Sequence, residues 1–131
     1  MMRIISIGKL REKYFIEACN EYLKRLAKYA KVEMTEAKSV ESALKQARGI
    51  LVLLDERGAQ QDSGKFAQFI KEKDITFIIG PAEGFSEKEK AMADHLLSLS
   101  KMTFPHQMAK LFLVEQIYRA FTILNNENYH K

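Results

Sequence analysis

Ile50-Leu51-Val52-Leu53-Leu54 and, further on, Ile75-Thr76-Phe77-Ile78-Ile79-Gly80-Pro81 decide how this chain folds. Each is a run of strand length without the polar alternation of a half-exposed strand, and Gly80-Pro81 closes the second. Strands apolar on both faces must be covered on both faces. Outward from these two, β-prone runs at Arg3–Ile7, Val32–Thr35 and Leu96–Leu99 alternate with helical patterns. Tyr14, Phe15, Ala18, Cys19, Tyr22, Leu26 and Tyr29 recur at three- and four-residue steps, and Val40–Arg48 reads as a short helix. Asp62 or Ser63 caps a helix through Lys73, while Asp55-Glu56-Arg57-Gly58 reads as a turn. Ser86-Glu87-Lys88-Glu89 has capping-box spacing and opens a helix to about His95. A helix of about five turns then spans His106 to Asn125. The alternation predicts an α/β fold, a mainly parallel sheet with helices on both faces. Ligands of such folds sit outside the carboxyl ends of the strands, which directs attention to the loops after Leu54, Ile79 and Leu99.

The 131 residues suit one domain, residues 1–131, with no repeat or linker to divide it. An apolar content of 47% is enough for a core and argues against disorder. Cys19 stands alone, and His95, His106 and His130 lack ligand spacing, so neither a disulfide framework nor a metal site is expected. The longest apolar run is too short to cross a membrane, and charges interrupt Met1–Leu10 where a secretory signal would be apolar. These features lead us to expect a cytoplasmic protein without a membrane partner. The formal charge is +4, but it is uneven. Residues 1–31 hold eight basic and three acidic groups, while the remainder is nearly balanced. Such a basic third either contacts a polyanion or is a solvated helix face.

Three stretches could carry chemistry. Gly80-Pro81-Ala82-Glu83-Gly84-Phe85 follows a buried strand and is either a plain turn or a place for close ligand approach. Ser100-Lys101-Met102-Thr103-Phe104-Pro105-His106-Gln107 offers apolar side chains with a few polar groups, as a flat ligand requires; otherwise Met102 and Phe104 plug the core. The last helix is apolar nearly all round, with Glu115, Arg119 and Thr122 in a narrow polar strip. It calls for burial by its own domain and by a second subunit, with Ile117 at the centre of that contact. Arg119 either pairs with Glu115 or clamps a phosphate. The tail Asn128-Tyr129-His130-Lys131 is either frayed or suited to stacking on a base and touching a phosphate.

Ile7-Gly8-Lys9-Leu10, Ile79-Gly80, Leu99 through Met108, Val114-Glu115-Gln116-Ile117-Tyr118-Arg119-Ala120-Phe121 and the terminal Tyr129-His130 together resemble the bacterial 23S rRNA pseudouridine N3-methyltransferase H family, a branch of the SPOUT methyltransferases. The resemblance covers essentially the whole chain and is densest from Leu99 onward. It implies a C-terminal trefoil knot, an exception among folds. It also implies a homodimer and S-adenosyl-L-methionine bound by Leu54, Gly80, Leu99, Ser100, Lys101, Met102, Thr103 and Phe104. The implied reaction is methylation of N3 of a pseudouridine in 23S rRNA of the assembled ribosome. Two departures stand out: a segment trimmed to Ala37–Gly49, and Gly80-Pro81 where relatives commonly carry two glycines.

Within that resemblance Arg119 orients the phosphate or base, Tyr129 and His130 meet the flipped nucleotide, and His106 and Glu115 are weaker candidates for proton removal. No metal is required. Other readings are a SPOUT enzyme for a different RNA position, a non-catalytic ribosome-binding factor that retains the fold, or a flavodoxin-like domain. The last would place acidic groups or a nucleotide pocket after the first strand, where Lys9 and Arg11 stand instead.

Overall fold

In the computed structural model, which describes residues 1–9 and 11–130, five strands form one sheet. They are β1 (Met2–Ile7), β2 (Val32–Ala37), β3 (Ile50–Gln60), β4 (Ile75–Ile79) and β5 (His95–Ser98). Their order is β2-β1-β4-β3-β5 and every neighbouring pair is parallel. Leu10 and Lys131, quoted above in the motif at the first strand and in the tail, lie outside the described residues.

Between the strands run α1 (Lys13–Leu26), α2 (Val40–Gln46), α3 (Ser63–Ile70), α4 (Glu87–Met92) and α5 (His106–Leu124). Adjacent residues of the central strands go to opposite layers, as the pleat requires. Ile4, Val52 and Phe77 are buried with Cys19 of α1, Phe66 of α3 and Leu113 and Ile117 of α5. Ile5, Leu53 and Ile78 are buried instead with Val40 and Ala43 of α2 and with Phe85. Each such side chain contributes roughly 2 kcal/mol of burial free energy. β4 enters between β1 and β3, and all five of its residues are buried. That central position is why its sequence is the most uniformly apolar.

Several expected boundaries move, among them the end of the helix expected to run through Lys73, which stops at Ile70. β3 does not end at Leu54: Asp55–Gly58 leave the ladder as a turn would, but Ala59 returns opposite Leu97, and Gln60 pairs with Ser98. The Ser98 hydroxyl ties the excursion down by donating to the Glu56 carbonyl at 3.1 Å. α4 stops at Met92 rather than near His95, because Asp94 is stapled to the sheet. Its carboxylate accepts the Leu51 N–H at 2.8 Å and its own N–H donates to the Leu51 carbonyl at 2.9 Å. His95 is consequently the first residue of β5.

α5 also corrects the expectation for its apolar surface. Ile117 is fully buried inside one protomer, with Leu113, Val114 and Ala120, so it does not lie on a face that a second subunit could cover. Thr122, assigned to the polar strip, is buried as well and donates its hydroxyl to the Arg119 carbonyl at 2.7 Å. The apolar groups that stay exposed on and before α5 are Met102, Met108 and Phe112. No helix among the described residues is long and apolar enough to cross a membrane. No cluster of three metal-ligating side chains occurs among them.

Candidate active site

The carboxyl ends of β3, β4 and β5 open into a cavity of about 490 Å³. Its walls come from the Asp55–Arg57 excursion within β3, the loops that follow β4 and β5, Glu87 and Lys90 of α4, and His106 and Ala109 of α5. Leu54, Gly80, Leu99, Ser100, Met102, Thr103 and Phe104 line it. Lys101 does not; it is exposed and faces a shallow groove beside Glu56, Arg57 and Gln60.

The loop after β5 is braced rather than free. The one Ser98 hydroxyl proton is shared between the Ser100 carbonyl (2.8 Å) and the Glu56 carbonyl (3.1 Å), Ser100 Oγ accepts the Met102 N–H (3.0 Å), and Thr103 donates to the Glu56 carboxylate (2.6 Å). Met102 is 74% exposed, so it lines the cavity without plugging the core. Phe104 is half-buried and meets the Phe112 ring edge-on at 5.0 Å. Gly80 is short for a reason of space: a Cβ there would come within 2.7 Å of the Phe85 ring.

Asp55, which the sequence shows only as a turn residue, and Lys90, which it does not single out, meet as an ion pair in the cavity wall. Lys90 Nζ stands 3.0 Å from Asp55 Oδ2 as an ion pair, at an angle outside the usual hydrogen-bonding range. Asp55 Oδ1 accepts the Arg57 N–H at 3.1 Å. Burial on its own would raise the Asp55 carboxyl, yet the Arg57 amide and the Lys90 ammonium together hold it below its ordinary value. Asp55 Oδ2 is a buried acceptor without a hydrogen-bond donor. An Asp closing an apolar strand was the visible signal, and reading it only as a turn residue hid it.

The lining carries four carboxylates (Asp55, Glu56, Glu83, Glu87) against two cations (Arg57, Lys90), a negative balance in a protein of net positive charge. The donor set therefore fits a cationic ligand with a flat apolar part and hydroxyl donors. S-adenosylmethionine has that chemistry, with a sulfonium, an adenine and a ribose diol. Leu54, Leu97, Leu99 and Phe104 would take the apolar part, and Asp55 Oδ2 would accept a hydroxyl.

A second cluster gathers Arg119, Tyr129 and His130. Arg119 donates Nε and Nη2 to Glu115 Oε2 (3.1 and 2.8 Å), its Nη1 is 3.0 Å from His130 Nδ1, and its guanidinium lies 4.9 Å above the Tyr129 ring. Tyr129 donates its hydroxyl to the same Glu115 oxygen at 2.9 Å. Burial first, then the hydrogen bonds with Tyr22 and Glu115, raise the Tyr129 phenol above its ordinary value, so it stays protonated at neutral pH. A guanidinium can only donate, so His130 Nδ1 accepts, and a neutral ring in this geometry carries its proton on Nε2. Arg119 is engaged with Glu115, as the pairing alternative has it. The cluster is separate from the cavity at the strand ends: His130 and Glu115 line an adjoining groove of about 710 Å³, which shares Leu97, Leu99 and Phe104 with it.

His106 and Gln107 join the first strand to this region. The His106 ring packs on Gly8, whose φ of +103° and lack of a Cβ leave room for it. Gln107 Oε1 accepts the Arg11 and Glu12 N–H groups at 2.9 and 3.1 Å, at the entry to α1, where Glu12 supplies no side-chain cap.

The sequence pattern of the family described as "Predicted SPOUT methyltransferase" matches residues 1–130. This chain belongs to the SPOUT methyltransferases. Relatives include proteins named ribosomal RNA large subunit methyltransferase H. That of Caldicellulosiruptor bescii is 41% identical over 154 aligned positions covering all of both chains, and that of Trichlorobacter lovleyi is 43% identical over 150, covering 98% of each. The chain belongs to their family. Solved SPOUT-like structures share the fold at low identity. A probable methylase family protein of Haemophilus influenzae aligns with a TM-score of 0.65 at 12% identity, over 99% of this chain and 70% of that one. The SpoU methyltransferase AviRb of Streptomyces viridochromogenes, solved with AdoMet, aligns with a TM-score of 0.59 at 10% identity, over 98% and 59%.

Proposed function

We propose that this protein is an S-adenosylmethionine-dependent rRNA methyltransferase that acts on N3 of a pseudouridine in 23S rRNA of the assembled ribosome, as a cytoplasmic homodimer. We assign residues 1–131 to one SPOUT domain whose last segment forms a trefoil knot. The observation that carries the reading is the anionic cavity at the carboxyl ends of β3, β4 and β5, set beside the Arg119–Tyr129–His130 cluster. Membership of a family whose relatives are named large-subunit rRNA methyltransferases supports the substrate class.

When bound, the cofactor supplies an activated methyl group. The protein's part is to hold it and orient the acceptor, while the proton displaced from N3 leaves to solvent water. Leu54, Gly80 and the Leu99–Phe104 loop form the cofactor cradle, Lys101 excepted, and Asp55 anchors its polar end. N3 of the base lies between two carbonyls, and a proton on Nε2 of His130 suits hydrogen bonding to one of them. Tyr129 offers a ring face for stacking, with its hydroxyl fixed by Glu115. Arg119 holds Glu115 and His130 in place and keeps its positive charge near the backbone phosphate. The exposed Lys24 and Arg25 of α1, with the exposed Lys28 just past its end, form the rRNA platform. Met102, Met108 and Phe112 mark the face for the second subunit.

Purified protein, labelled S-adenosylmethionine and ribosomes from a strain lacking the enzyme test this reading. Label should appear in 23S rRNA, on one pseudouridine, and only with assembled ribosomes. Label at another position would mark a SPOUT enzyme of different target. Cofactor and ribosome binding without transfer would mark a non-catalytic factor.

A further inference from the structure

The tail that carries Tyr129 and His130 is anchored on α1 as well as on α5. Tyr22 Oη lies 3.2 Å from Tyr129 Oη. Tyr129 has already given its single phenolic proton to Glu115, so in the pair between the two hydroxyls Tyr22 is the donor. A directed chain results: Tyr22 donates to Tyr129, Tyr129 to Glu115, and Arg119 to both Glu115 and His130. The Tyr22 ring is itself held, packed on Tyr118 at 5.7 Å with the Arg25 guanidinium 5.3 Å above it. A second latch lies seven residues further on, past the end of α1, where Tyr29 donates to the Glu127 carboxylate at 2.6 Å.

We propose that Tyr22 is a positioning residue for methyl transfer, its hydroxyl fixing Tyr129 and, through Glu115 and Arg119, the ring of His130. This rests on the reading of the tail as the part that meets the target nucleotide. Tyr22 belongs to the same helix as Lys24 and Arg25, with Lys28 just past its end, so the rRNA platform and the nucleotide-handling tail share one support. In the sequence Tyr22 reads only as a core position of an amphipathic helix. Its ring does fill that role, while its hydroxyl is used by the tail.

Tyr22→Phe keeps the ring and removes the hydroxyl. It should be assayed as the full chain on ribosomes lacking the modification, beside Tyr129→Phe, the double variant and a deletion of residues 129–131. Tyr22→Phe should lower kcat by roughly threefold to tenfold, about the worth of one hydrogen bond between neutral hydroxyls, with KM for ribosomes and affinity for S-adenosylhomocysteine unchanged. The double variant should be no slower than Tyr129→Phe, since both substitutions break the same chain. Hydrogen exchange in the tail should quicken in Tyr22→Phe. A wild-type kcat in Tyr22→Phe, with the deletion inactive, would overturn the positioning role and leave the tail's role standing. Additive losses, or a loss carried by KM, would overturn it in favour of a packing role. Full activity of the deletion would refute the tail's role and the inference with it.

Discussion

A side chain at Gly80 would meet the Phe85 ring before it met any ligand, since even a Cβ comes within 2.7 Å of it. Gly80→Val should therefore displace Phe85 into the cavity, costing about 1–3 kcal/mol of stability and raising the Kd for S-adenosylhomocysteine by about tenfold or more. Thermal melting and calorimetry read the two effects, and an unchanged Kd would move the cofactor elsewhere. Asp55 gives a pH signature. Its folded carboxyl titrates below the unfolded one, so its contribution is complete above the unfolded value, near 4, and fades as pH falls through the folded value. Wild type should exceed Asp55→Asn in melting temperature by a constant margin from about pH 6 to pH 8, and the margin should shrink below about pH 4. A margin that grew on acidification would contradict the ion pair with Lys90.

Among the elements, α5 separates folding from association. Ile117→Glu would put a carboxylate into the core of one protomer, and loss of soluble protein is the expected result. Phe112→Glu changes a residue that is 39% exposed and should leave the fold intact while shifting light-scattering mass toward a monomer. The entry to α1 depends on another element: Gln107→Ala should cost about 1 kcal/mol, because two amides lose their acceptor. A melting temperature unchanged in that variant would show that water replaces the side chain. Strand identity was legible because Ile50–Leu54 and Ile75–Ile79 are apolar at every pleat but Thr76 and must be covered twice. The ends of β3 and α4 were not, because they are set by partners remote in sequence: Ser98 for Glu56, and Leu51 for Asp94. The same holds for the site. The loop residues from Leu99 to Phe104 could be read as a lining, whereas Asp55 meeting Lys90 and Tyr22 meeting Tyr129 are pairings across 35 and 107 positions, which no local pattern encodes.

At the scale of the molecule, charge is divided between an anionic cavity that suits a cationic cofactor and a basic N-terminal third, residues 1–31, that suits RNA. Replacing Lys24, Arg25 and Lys28 together should weaken ribosome binding and reduce the salt dependence of log Kd by up to about 2–3 in slope, with cofactor affinity untouched. An unaltered salt slope would place the rRNA on another face. The central claim, one methyl group on N3 of a pseudouridine in 23S rRNA, is met most directly by mass mapping of that rRNA from a strain lacking the gene, before and after the purified protein acts on its ribosomes with S-adenosylmethionine. The account predicts that one pseudouridine-bearing fragment loses a methyl group in the deletion strain and regains it on treatment, with the mass on N3. A 23S rRNA unchanged in both comparisons, or a methyl group on a different nucleotide, would contradict it.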